Sequence, residues 1–107
     1  MPILQCEFWN VGQGLFSSGR IQMGNAPYFH WVYDCGSTSK NYQKLLSKAI
    51  VSMDKLYATN IIDLMAISHF DEDHINGVNQ LLKNKRVRYW LLPYYLLEQR
   101  LIIAYLR

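Results

Sequence analysis

The run Ile61-Ile62-Asp63-Leu64-Met65-Ala66-Ile67-Ser68 is apolar at nearly every position and has the length of a strand. A strand without polar alternation is typical of one buried on both faces, so the rest of the chain must supply layers to cover it. One such layer is legible upstream. Between Ser39 and Lys55 the apolar residues Tyr42, Leu45, Leu46, Ala49, Ile50 and Met53 recur at helical spacing, with lysines and other polar groups opposite. The cluster Ser37 to Ser39 is placed to cap that helix.

Other segments alternate. Leu4, Cys6 and Phe8 interleave with Gln5, Glu7 and Trp9, which predicts a strand whose apolar face points inward, ended by the turn Val11-Gly12-Gln13-Gly14. Leu15 to Met23 and Tyr28 to Cys35 read as two strands around Gly24-Asn25-Ala26-Pro27. Beyond the apolar run, Ile75, Val78, Leu81 and Leu82 resume helical spacing, Val87 to Leu92 reads as a strand closed by Pro93, and Tyr94 to Leu106 as an apolar helix. The order β-β-β-α-β-α-β-α over residues 1–107, taken as a single domain, predicts an α/β (α+β) layered fold.

Composition narrows the function classes. A chain of 107 residues, half of them apolar, has enough material for one core, which excludes disorder and collagen-like structure. A formal charge of +3 is too small to mark a nucleic-acid surface by itself, and Lys83, Lys85, Arg86 and Arg88 read as a solvated helix end and loop. Cys6 and Cys35 form no CxxC pair, so neither a zinc ribbon nor a disulfide framework is indicated, and both read as small buried hydrophobes. His30 reads as a strand histidine that is fully satisfied in its hydrogen bonds or partly exposed. No leader and no run of about 18 to 20 apolar residues is present, which predicts a cytoplasmic protein without a membrane span.

The polar turn directly after the apolar run carries the chemistry. His69, Asp71 and Asp73 occupy alternate positions and His74 follows at once, so alternate side chains can converge while the adjacent pair splays to a second point. Neutral imidazole and carboxylate suit zinc, manganese or iron. Asp71, Asp73 or Asn76 could instead cap the following helix, but a cap needs one such group, not three acidic residues beside two histidines. The surplus points to metal.

SHFDEDHING, Ser68 to Gly77, resembles the HxDxDH variant of the signature of metallo-β-lactamase-fold hydrolases. NVGQG at Asn10 to Gly14 and VYDCGS at Val32 to Ser37 are similar to the DVGQG and IDTG segments of that superfamily, in the same order. The likeness is to the hydrolase-like domain of the competence DNA-uptake proteins and their stand-alone relatives, and it covers Ile3 to Pro93. It implies an αββα sandwich and a hydrolytic centre of one or two Zn2+ ions (or Mn2+ or Fe2+). Carried onto this chain, it makes His69 and Asp71 ligands of a first metal and Asp73 and His74 ligands of a second. Asp73 would also act catalytically, orienting the attacking water, and Asp34 would hold the ligand loop from behind. Gly12 and Gly14 match the glycine turn under the site. The branch implies a phosphodiester or other ester as substrate, nucleic acid among them.

The chain also departs from that pattern. Asn10 stands where many relatives carry Asp, and Asn76 where a glycine is frequent. The superfamily brings another histidine, a bridging aspartate and a last histidine from a second half, whereas after His74 this sequence has no histidine and only Glu98 as an acidic residue. The expectation is therefore the amino-terminal portion of a sandwich, inactive alone, completed by a second chain or by self-association. The alternative is a non-catalytic fragment or interaction module.

Overall fold

The computed structural model describes residues 2–93. All five segments expected as strands form, and they hydrogen-bond into one sheet in chain order: β1 (Ile3–Phe8), β2 (Gly14–Gln22), β3 (Phe29–Ser37), β4 (Ile61–Ala66) and β5 (Arg86–Leu91). β1, β2 and β3 are joined by short turns and run antiparallel. β3, β4 and β5 run parallel, because a helical crossover separates each from the next. The first crossover is α1 (Tyr42–Tyr57); the second is broken into α2 (Glu72–Ile75), α3 (Val78–Leu81) and a 3-10 turn at Leu82–Asn84. The result is a mixed α/β domain, and the helix expected over Tyr94 to Leu106 lies outside the described residues. No helix among the described residues is long and apolar enough to cross a membrane.

Helix α1 buries the stripe its spacing predicts. Leu46, Ala49, Ile50, Met53 and Tyr57 join Phe16, Val32, Cys35, Met65 and Leu81 in the core. The expected serine cap does not form: the cap residue is Asn41, without a side-chain hydrogen bond. The hydroxyls of the Ser37–Ser39 cluster instead tie the glycine turn to the end of β3. Ser37 Oγ donates to the Val11 carbonyl at 2.5 Å, and the Gln13 amide donates to Ser39 Oγ at 2.7 Å. At the other end Ala58 adopts the left-handed conformation that closes many helices.

Strand β1 turns over relative to expectation. Gln5 and Glu7 face the helix side, where Gln5 Oε1 accepts from Arg20 Nε at 3.0 Å, while Leu4, Cys6 and Phe8 are exposed. The polar side chains are drawn inward by Ser18, Arg20 and Tyr57, which make that margin of the helix side polar. Cys6 is thus not a buried hydrophobe, whereas Cys35 is. Across the outer face the registered pairs form apolar rows, Leu4–Ile21–Phe29 and Cys6–Gly19–Trp31–Leu64–Tyr89. Burial on both faces of β4 holds at its carboxyl end, where the adjacent Met65 and Ala66 are both enclosed; Ile61, Asp63 and Leu64 are half-buried.

Two charged or polar residues also depart from expectation. Lys85 is not solvated: its ammonium is enclosed and lies 2.8 Å from Asp54, joining the entry to β5 to the last turn of α1. His30 is 3 % exposed, and its Nδ1 donates to the Ile61 carbonyl at 3.1 Å, since a carbonyl can only accept. Its Nε2 has no hydrogen-bond partner among the described residues, so it is enclosed without being satisfied. The ring packs 4.5 Å from that of Tyr57.

Burial lowers the pKa of His30 below 6.5, against the smaller opposing pull of the Ile61 hydrogen bond and the Asp63 charge. Below about pH 6.5 the unfolded chain therefore takes up a proton that the folded chain refuses. This stabilising contribution is full above about pH 6.5 and declines as pH falls towards the folded-state pKa. Urea midpoints measured from about pH 8 to about pH 5 should fall across that window, with a shallower fall in His30→Phe. An identical slope in the variant would remove His30 as the cause.

Candidate metal centre

The turn sits at the carboxyl ends of the parallel strands β3 and β4, where open α/β sheets gather ligands. Its foundation is an irregularity in β3. Tyr33 pairs with Ser17 and Cys35 with Phe16, so Asp34 is the extra residue of a bulge. Asp34 has φ of 58°, a left-handed conformation that Asp tolerates better than most residues. The bulge aims its fully buried carboxylate at the end of β4.

That carboxylate gathers three donors. Oδ1 accepts the Ser68 amide at 2.7 Å, and Oδ2 accepts the Ser68 hydroxyl at 2.5 Å and Nδ1 of His74 at 2.6 Å. An Nδ1 proton committed to Asp34 leaves Nε2 of a neutral His74 as a bare lone pair, the usual orientation device for a metal-binding imidazole. On that side Nε2 lies 3.6 Å from Asp73 Oδ2.

His69 and Asp71 form the other pair, with Nδ1 3.1 Å from Oδ2. The alignment is not that of a hydrogen bond, and Nδ1 is a buried nitrogen without a hydrogen-bond partner among the described residues. The His69 and His74 rings meet at 3.9 Å between centroids, tilted by 56°. Asp71 precedes α2 in extended conformation, and its side chain makes no cap hydrogen bond, so capping does not account for it.

Three further residues hold the turn against β3, none of them in the part the sequence suggests, where Asn76 is only a candidate helix cap. Asn76 Oδ1 accepts the Ser37 amide at 2.8 Å while its Nδ2 donates to the Ser37 carbonyl at 2.5 Å, a reciprocal pair in the manner of a strand. Gly36 lies so close to the turn that a Cβ there would stand 2.6 Å from the Asp73 carbonyl carbon and from the His74 nitrogen. Ser68 is the third, through its two bonds to Asp34. Only a glycine one residue after Cys35 and an asparagine in a helix-start position hinted at them. The Cys35 thiol is pushed up to about 12 by burial and then by the Asp34 charge, so in the metal-free protein it stays protonated.

The four candidates thus fall into two pairs, His69 with Asp71 and Asp73 with His74, and Asp34 stands behind His74. The clamped imidazole and the His69 nitrogen, which faces Asp71 without a hydrogen bond, fit a metal ion in donor chemistry. In number they do not complete one: among the described residues no group of three or more His, Cys, Asp or Glu side chains is arranged to hold a metal. No family model, no curated protein and no solved structure matches this chain.

Proposed function

We propose that residues 68–77 form one part of the centre of a metal-dependent hydrolase, in a domain that is the amino-terminal portion of a metallo-β-lactamase-like αββα sandwich. His69, Asp71, Asp73 and His74 would hold one or two Zn2+ ions (or Mn2+ or Fe2+), with Asp34 orienting His74. A bound metal supplies an acidified water and polarises the scissile group of a phosphodiester or other ester. Asp73, beside Nε2 of His74, would orient that water. The observation that carries this reading is the buried Asp34 clamp, which fixes the tautomer of His74 without using its other nitrogen.

Ligands beyond these four would come from a second chain or a second copy, and the apolar rows on the outer face of the sheet support such a partner. The same rows favour a second reading, an interaction module that keeps the framework without the chemistry. Metal analysis separates the two. Purified protein equilibrated with zinc and then desalted should retain zinc, and both His69→Ala and Asp73→Ala should lose most of it. Retention that is equal in the wild type and both variants would sink the metal reading, and with it the hydrolase.

A further inference from the structure

A cleft of about 380 Å³ opens at the other end of the sheet, among the first residues of β3 and β4 and the middle of β5. His30 and Asp34 lie four residues apart on β3, roughly 13 Å along a strand, so this cleft is separate from the candidate metal centre. Arg20, Tyr28, His30, Tyr57, Asp63 and Arg88 line it. Three of their properties point the same way. The half-buried Arg20 guanidinium is held over the Tyr28 ring at 4.3 Å and the Tyr57 ring at 5.3 Å, and its one hydrogen-bond acceptor among the described residues is the neutral Gln5 amide oxygen. It has no carboxylate within salt-bridge distance among the described residues, so its charge is fixed in place without a direct ion-pair partner.

Arg88 adds a second guanidinium at the mouth, exposed and 3.4 Å from Asp63 through Nε. Beneath them His30, 97 % enclosed, has Nδ1 committed to the Ile61 carbonyl, which leaves Nε2 as an acceptor without a donor. A side chain held this way matches a ligand that brings both negative charge and a hydroxyl.

We propose that this cleft binds a small organic oxyanion that also carries a hydroxyl group, a phosphate monoester of a polyol being the simplest case. The oxyanion sits on Arg20 and Arg88, stacked beside the tyrosine rings, and the hydroxyl donates to His30 Nε2. Because that nitrogen is out of reach of water in the free protein, binding shifts a side chain of the cleft wall, a change of ordinary size at binding sites. Asp63 tightens the selection by accepting a second hydroxyl and repelling anions of higher charge.

Glycerol 3-phosphate and inorganic phosphate are the probes, titrated into 15N-labelled protein in EDTA, with the His69→Ala variant as a control for anions drawn to the metal centre. Glycerol 3-phosphate should bind saturably, at least about tenfold more tightly than phosphate, and should move the His30 Nε2 resonance in the wild type and in His69→Ala alike. Arg20→Gln should weaken binding about tenfold or more, and Arg88→Gln, at an exposed position that leaves folding intact, several-fold. Equal affinity for the two anions, an unmoved His30 resonance, or binding indifferent to Arg88→Gln would overturn the proposal.

Discussion

Replacing Asp34 with alanine should destabilise the domain by about 3 to 5 kcal/mol, because it removes a fully buried acceptor and leaves the half-buried Ser68 amide, Ser68 hydroxyl and His74 Nδ1 without their shared partner. Alanine at φ of 58° adds about 1 kcal/mol of backbone strain. Against a typical folding free energy of about 5 to 15 kcal/mol, such a loss leaves much of the population unfolded in mild urea. Asp34→Asn separates stability from site chemistry. Asparagine tolerates the left-handed backbone and can still accept the Ser68 amide, but its amide group facing His74 requires Nδ1 to accept, which moves the ring proton to Nε2. That variant should fold with a smaller loss, near 1 to 2 kcal/mol, and bind zinc about 10- to 100-fold more weakly. Urea denaturation followed by circular dichroism, with zinc titration of the folded variant, reads both. An alanine variant within about 1 kcal/mol of the wild type would mean the clamp contributes little.

The second large effect comes from a residue with no functional group. Gly36→Val should lower stability by about 2 to 4 kcal/mol and abolish zinc retention, although no candidate ligand changes. The atoms that a side chain at this position would meet belong to the backbone of Asp73 and His74, which cannot rotate away as a side-chain tip can. The turn must lift off the sheet, breaking the reciprocal Asn76–Ser37 pair and the bond from the Gly77 amide to the Cys35 carbonyl. Gly36 has no positive φ among the residues that do, so the effect is steric rather than conformational. Hydrogen exchange at the Gly77 amide, compared with amides in the middle of α1, localises it. Wild-type protection at Gly77 in a folded Gly36→Val protein would show that the close approach is not what holds the turn.

Periodicity carried the elements well where a single rule governed them. The stripe from Tyr42 to Met53 became α1. Alternation in β1 predicted a strand but turned the wrong face, that of Leu4, Cys6 and Phe8, towards the core. The observed face was chosen by Gln5 finding Arg20 on the neighbouring strand. The serines before α1 met the composition of a cap, yet their hydroxyls were claimed by Val11 and Gln13, contacts between segments that the sequence holds well apart. Asn76 and Ser37 stand 39 residues apart, and nothing local to either encodes the meeting. Long-range approach is the part of the site that spacing does not express.

The turned-over edge strand has a practical consequence. The chain has two cysteines, one enclosed and held as a thiol by its high pKa, the other, Cys6, exposed in the same registered row as Trp31. Thiol-directed reagents therefore meet a single address on the native protein. A fluorophore attached there would sit on the apolar outer face of the sheet with an indole in the same row as a quencher. Its emission would report the arrival of any second chain at that face while leaving the loop of histidines and aspartates untouched.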